Sequence, residues 1–247
     1  MRVNLLHYTP LEVADKAISK CWDTTCKSGD DMKARIYRVG NKNKHSSTLE
    51  HINYSFDIEG ISRACLQELA RHRHTSMSVK STRYTLKELK KIDAPLITQI
   101  SKEEYEKNVD CGALLVEFYC NYYSIDDNIV VGDIMQQAVG EQYIVTTSEP
   151  KVNIASILAL ENIRLLIRDG ISNDLTKFAL PEAYKTSLVW TVNARSLQNF
   201  LSLRTDKAAL WEIRDLANEI FNQLPGEHKY LFKEFVKEYE KEKTNET

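Results

Sequence analysis

INYSFDIEGISRACLQELARHRHTSMSVKSTRY, Ile52–Tyr84, carries two structural periods in succession. Ile52, Tyr54, Phe56 and Ile58 alternate with polar residues, the period of a strand with one buried face. From Ile61 the spacing changes. Ile61, Cys65 and Leu69 lie four apart, which places them on one helical face, and the helix runs into Arg71. The last fourteen residues, RHRHTSMSVKSTRY, hold three arginines, two histidines and one lysine without a carboxylate. A strand followed directly by a helix, far from any second strand of the same kind, points to α+β rather than a regular βαβ repeat.

The rest of the chain extends that reading. RVNLLHY suggests a first strand. Thr9, Pro10 and Glu12 form a start signal for a helix to about Trp22, with Thr9 as cap and Pro10 in the first turn. Ser101 and Glu104 open a helix to about Tyr123. The segment 153–169 is strongly helical, and Gly170 ends it. LVWTV reads as a buried strand, and Asn193 can cap the helix NARSLQNFLSLR. Asp206 can cap a further helix with the apolar stripe Leu210, Ile213, Leu216, Ala217, Ile220 and Leu224. The C-terminal segment reads as a charged helix that frays, with about 240–247 a disordered tail. With no Pro/Gly-rich linker and no repeat, the expectation is one catalytic domain over 1–247. It would hold a mixed or antiparallel sheet flanked by several long helices, and be helix-rich overall.

Bulk composition narrows the function. The chain has 247 residues, 43% hydrophobic content and 33 Lys+Arg against 35 Asp+Glu, for a formal net charge of -2. That size can bury a substantial core, and the charge argues against a generic nucleic-acid binder. No apolar run is long enough for a membrane span. The N-terminus lacks the apolar core of a secretory signal. The five cysteines, an odd number with loose spacing, then read as reduced thiols of a cytoplasmic protein. Cys21 and Cys26 lack a matching second pair, and no metal is expected. Eight glycines and no GxGxxG or GxxxxGK make a glycine-loop nucleotide site unfavourable. A nucleotide would be held mainly by side chains.

A basic run at a helix end is commonly a solvated face that complements the helix dipole. Here Arg is preferred to Lys, and Thr75, Ser76, Ser78, Ser81 and Thr82 add hydroxyls. Guanidinium forks with hydroxyls are the groups that hold phosphate oxygens. Because the run leaves a helix with an apolar face, its arginines should sit against the core. Partly buried arginines need anions, and a charged ligand is the simplest source.

Three ordered blocks then resemble the flavin-dependent thymidylate synthases. Arg71-His72-Arg73, seven residues and Ser81 match the family's RHR-x7-S signature, extended by Ser76, Arg83 and Tyr84. Upstream, His45, Ser47, Glu50 and His51 match H-x-S/T-x-x-E-H. Downstream, Asn193, Arg195, Ser196, Leu197, Asn199, Leu203, Arg204, Trp211, Glu212, Ile213 and Arg214 match a third block. Ala179–Pro181 also sits in family order.

The resemblance implies a homotetramer with shared active sites that uses FAD to convert dUMP to dTMP. Methylenetetrahydrofolate would supply the carbon and NADPH the reducing equivalents. By carry-over, Arg71, His72, Arg73, His74, Ser47, Glu50, Asn193, Arg195 and Asn199 would contact FAD. Ser81, Thr82, Arg83 and Lys177 would hold the nucleotide, and Arg204 would face the uracil and favour its ionised form. His45 and Tyr84 would lie near the flavin and the folate. Arg71 and Glu68 fall in the nucleotide set too, although Glu68 stands where the family often has Gln, and a carboxylate beside a phosphate repels it. Ser78-Val79 replace the usual Asn-Glu, and Lys177 replaces an Arg. Ser81 has no Ser-His-Asp arrangement and reads as a ligand rather than a nucleophile. The competing reading is a non-enzymatic nucleic-acid-binding protein that uses residues 71–84.

Overall fold

The computed structural model describes residues 1–25, 28–92 and 142–237. Cys26, the expected helix from Ser101 to about Tyr123 and the tail from 240 lie outside them. Among the described residues four strands form one sheet in the order β1-β2-β4-β3. They are β1 (Arg2–Tyr8), β2 (Asn53–Ser62), β3 (Thr75–Val79) and β4 (Lys185–Asn193). β1 runs antiparallel to β2, with Val3 opposite Ile58 and Leu5 opposite Phe56; β3 runs antiparallel to β4, with Thr75 opposite Val192 and Val79 opposite Leu188. Between β2 and β4, the Ala194 N–H donates to the Ile52 carbonyl at 2.8 Å, and the Ser55 and Thr191 hydroxyls meet at 2.9 Å. As one strand's number rises the other's falls, so this pair is antiparallel as well.

The alternation read from the sequence is the buried face of β2 and the residue just before it: Ile52, Tyr54, Phe56 and Ile58 are all fully buried. The sheet and the longer helices make the architecture α+β. Among the described residues the longer helices are α1 (Leu11–Trp22), α2 (Gly29–Tyr37), α3 (Arg63–Ala70), α4 (Pro150–Arg168), α5 (Ala194–Arg204) and α6 (Trp211–Gln223). Gly170, at φ 88°, ends the α4 region in the left-handed conformation that glycine adopts without cost.

Two start signals act differently from expectation. The Thr9 hydroxyl makes no cap to α1; it accepts from the Asn53 backbone N–H at 3.2 Å and so ties the β1–α1 turn to β2. Asp206 does not cap α6, which begins after Leu210; its carboxylate accepts from the Ala208 N–H at 2.8 Å in a local turn. In both cases a backbone N–H outside the helix takes the side chain that would have capped it. Near the C-terminus Lys233–Phe235 is a 3-10 turn rather than the start of a charged helix.

The chain divides into two compact units. One holds Met1–Ile61, Cys65–Val79 and the residues from Ser187 onward; the other holds Ser62–Ala64 and Lys80–Thr186. The first has its core between the sheet and α1, α3, α5 and α6, with Trp190, Phe56 and Phe200 among its largest buried side chains. The second is centred on Leu86, Leu89, Ile157, Leu160, Ile163 and Tyr184.

Candidate functional site

Two chain reversals build the site in the first unit. At the end of β4 the Asn193 side chain accepts from the Ser196 N–H at 2.8 Å, which starts α5 at that point. The buried side of α5 is anchored by Leu197, Phe200 and Leu201, and by Gln198, which donates to Asn41 Oδ1 at 3.2 Å and to the Leu231 carbonyl at 2.9 Å. The opposite side presents Arg195 and Asn199. The second reversal is the loop 71–74 between α3 and β3. It is pinned where the Thr75 hydroxyl donates to the His72 carbonyl at 2.9 Å.

A 3-10 segment, Ser46–His51, packs against α5 through the buried Leu49. It brings Glu50 to Arg195, with Oε1 2.6 Å from Nη1 across 145 residues of sequence. Glu50, His72, Arg73, His74, Asn193, Arg195, Ser196 and Asn199 line one cleft of about 450 Å³. A groove of about 820 Å³ shares His72, Arg73, His74 and Asn199 with it, and continues along Arg71, Ser202, Leu203, Arg204 and Asp206. Seven of the residues assigned to FAD by resemblance therefore wall a single cleft. Ser47 and His45 wall neither cavity. Both are exposed on or beside the 3-10 segment, and the His45 ring stands edge-on to Trp22 at 6.5 Å.

Arg204 lies at the C-terminal end of α5 and is gripped on three sides. Its Nε donates to His72 Nε2 at 3.0 Å, its Nη1 to Glu68 Oε2 at 2.7 Å and its Nη2 to the Glu68 carbonyl at 3.2 Å. Burial, and then the Arg204 guanidinium, push the His72 pKa down to about 4, so the ring is neutral near pH 7. As Nε2 accepts, the proton is on Nδ1. Phe200 meets this ring edge-on at 5.0 Å. In the sequence Glu68 stands out as a departure from the family pattern, but nothing there points to its partner.

Ser81, Thr82, Arg83, Tyr84 and Lys177 belong to the second unit. Ser81 precedes a short helical turn, Thr82–Thr85, and the Tyr84 side chain lies outside the described structure. Arg83 donates through Nε to Asp174 Oδ1 at 2.5 Å and through Nη2 to Oδ2 at 3.3 Å, and Asn173 donates to the Arg83 carbonyl at 2.8 Å. The hydrogen bond from Arg83, with the charges of Arg83 and Lys177, holds the Asp174 carboxyl below the usual range. Arg83, Asp174 and Lys177 therefore share one neighbourhood. Asp174 has no signal in the sequence; a lone Asp ahead of a short turn looks like any solvated acid.

Among the described residues no three His, Cys, Asp or Glu side chains gather as a metal site, and no helix is long and apolar enough to cross a membrane.

Comparison with known proteins agrees with the geometry. The family model described as thymidylate synthase complementing protein matches residues 4–228. The flavin-dependent thymidylate synthase of Wolinella succinogenes is 48% identical over 235 residues, covering 94% of this chain and 97% of its own. The enzyme of the same description from Helicobacter pylori is 44% identical over 241 residues, covering 96% and 100%. A crystal structure of thymidylate synthase X from Helicobacter pylori with FAD and dUMP superimposes with a TM-score of 0.76 at 43% identity, covering 96% of this chain and 100% of that one. This chain belongs to the flavin-dependent thymidylate synthase family.

Proposed function

We propose that the protein is an FAD-dependent thymidylate synthase that methylates dUMP to dTMP, with methylenetetrahydrofolate as carbon donor and NADPH as reductant. One observation carries the reading: residues from three separate segments, Glu50, His72–His74 and Asn193–Asn199, wall a single cleft. Its donors fit the cofactor. Arg73 and Arg195 offer guanidinium forks to a diphosphate, and the amides of Asn193 and Asn199 suit ring heteroatoms. FAD, when bound, supplies the redox chemistry. The protein's own part is to bind, orient and polarise. Arg204 would face the uracil, where a fixed positive charge stabilises the ionised imide.

Arg83 and Lys177 would hold the phosphate of dUMP. The Arg83–Asp174 pair is more than half exposed on both sides, so it contributes little and can be exchanged for a phosphate dianion. Ser81 and Thr82 would add hydroxyl contacts; Tyr84 and His45 are proposed near the flavin and the folate on the resemblance. A homotetramer with shared sites is proposed on the same ground. The exposed side chains of Leu175 (65%) and Phe178 (84%) support a surface that is covered in an assembly. A cytoplasmic location fits such an enzyme.

The nucleic-acid reading loses support from the basic stretch itself. Arg71 lies 3.7 Å from Glu68, Lys80 2.8 Å from Glu88 and Arg83 2.5 Å from Asp174, so three of its four Lys and Arg residues already face carboxylates. The test is direct. The purified protein should show flavin absorbance and form dTMP from dUMP, methylenetetrahydrofolate and NADPH. A folded protein that takes up no FAD would overturn the proposal.

A further inference from the structure

We propose that Glu68 is a positioning residue for Arg204, clamping its guanidinium so that the donors left over face the groove. The inference rests on the reading of Arg204 as the group that faces the pyrimidine.

The geometry is specific. Glu68 leaves α3 in the turn before the loop, above the buried Cys65 and Leu69. It contacts Arg204 twice, through its carboxylate at 2.7 Å and its own backbone carbonyl at 3.2 Å. The backbone contact matters, because a carbonyl at the end of a helix cannot swing away as a side chain can. With Nε on His72, three of the five guanidinium N–H donors are committed. The two that remain are one on each terminal nitrogen, and Arg204 lines the groove. Two donors in one plane match the flat edge of a pyrimidine imide.

Charge explains why the clamp is a carboxylate. The Arg204 side chain is 15% exposed and that of Glu68 30%. A guanidinium this far from water needs a counter-charge before any ligand arrives. Glutamate supplies it: Oε2 accepts from Arg204, while Oε1 lies 3.7 Å from the exposed Arg71. A carboxylate aimed at an anionic nucleotide would instead repel it, so Glu68 acts through Arg204 and not on the ligand. His72, whose Nε2 accepts from Arg204, is also held independently of Glu68, by Phe200 against its ring and by the Thr75 hydroxyl on its carbonyl.

Three proteins test this: Glu68→Ala, Glu68→Gln and Glu68→Ala combined with Arg204→Ala. Glu68→Ala is expected to bind FAD at the level of the unsubstituted protein, while kcat falls by about 100-fold and KM for dUMP moves little, as for a misplaced group near the chemistry. Glu68→Gln keeps an oxygen acceptor for Nη1 but not the counter-charge, and should recover only part of that loss. Adding Glu68→Ala to Arg204→Ala should cost nothing further. Additive losses, or a change confined to KM, would overturn the proposal. Crystal structures give a readout independent of activity. Arg204 should leave its place in Glu68→Ala, and an unmoved Arg204 would also overturn it. If the unsubstituted protein bound FAD but formed no dTMP, the functional reading would fail on its own, and crystal structures of the unsubstituted protein and Glu68→Ala would still decide the clamp.

Discussion

Gly40 shows how a single missing side chain shapes the site. A Cβ built there would lie 2.8 Å from Leu49 Cδ2 and 2.9 Å from its Cγ. Leu49 is fully buried and has nowhere to retreat. Its neighbour Glu50 holds Arg195. Ala has the better helix propensity, worth up to about 1 kcal/mol, but overpacking a filled core costs about 1–3 kcal/mol. The clash should win. Gly40→Ala is expected to lower stability by about 1 kcal/mol in urea unfolding, and to weaken FAD retention as the 3-10 segment is pushed off α5. None of this is legible in the sequence, because the argument for Gly40 is a distance to a residue nine positions away. Glu68 is the opposite case. The sequence singles it out as an acid in a place that should repel an anion, and the structure supplies a cation, Arg204, as its partner.

The helix α5 is legible in its own residues. Asn193 stands at its start, and Leu197, Phe200 and Leu201 share the side that is buried. Its cap also has two functions that can be separated. Asn193 Oδ1 holds the Ser196 N–H, and Asn193 also lines the cleft, where its amide NH2 is the donor the cap leaves unused. Asn193→Ala should therefore lose about 1 kcal/mol of stability in the cofactor-free protein. Asn193→Ser should keep that stability, since Ser caps well, yet bind FAD more weakly. Urea unfolding and FAD titration of the two variants check this; equal FAD affinity in Asn193→Ser and the unsubstituted protein would remove the amide from the cofactor site. β3 is the harder element to read. Thr75–Val79 sits inside the basic stretch, where hydroxyls and charge hide a strand. Only Thr75 and Met77 are partly buried, so its pairing with β4 decides the conformation rather than any strong alternation of its own.

For the whole molecule, the buried imidazoles set a pH window. Burial lowers the pKa of both His72 and His228, that of His72 to about 4. The His228 ring is fully buried against Tyr54, whose hydroxyl is 2.7 Å from Nδ1, with Tyr8 edge-on and Glu227 at 4.0 Å. In the unfolded chain both rings titrate near 6.5. Between about pH 6.5 and 4 the unfolded state thus binds more protons, so stability should fall as the pH is lowered through that window and be insensitive to these groups above it. His72→Asn should flatten the slope of the urea midpoint against pH; an unchanged slope would show that other groups carry it. Asp174 and Asp206, held low by Arg83 and Lys237, act only at lower pH, where protonation removes what their pairs contribute. The sequence by itself determined the family, the α+β class, the strands β1, β2 and β4, the helix α5 and seven of the residues that wall the cleft. Those properties are written in near neighbours: a period of two or of nearly four, a cap, an ordered motif. Only the tertiary structure decided that Glu68 clamps Arg204, that Glu50 meets Arg195, that Asp174 occupies Arg83, and that Thr9 serves β2 instead of its own helix. Each partner lies tens of residues or more away, and only the packing of the elements that carry them brings the two within reach; for Arg204, the most buried of these charges, it also supplies the counter-charge that burial demands.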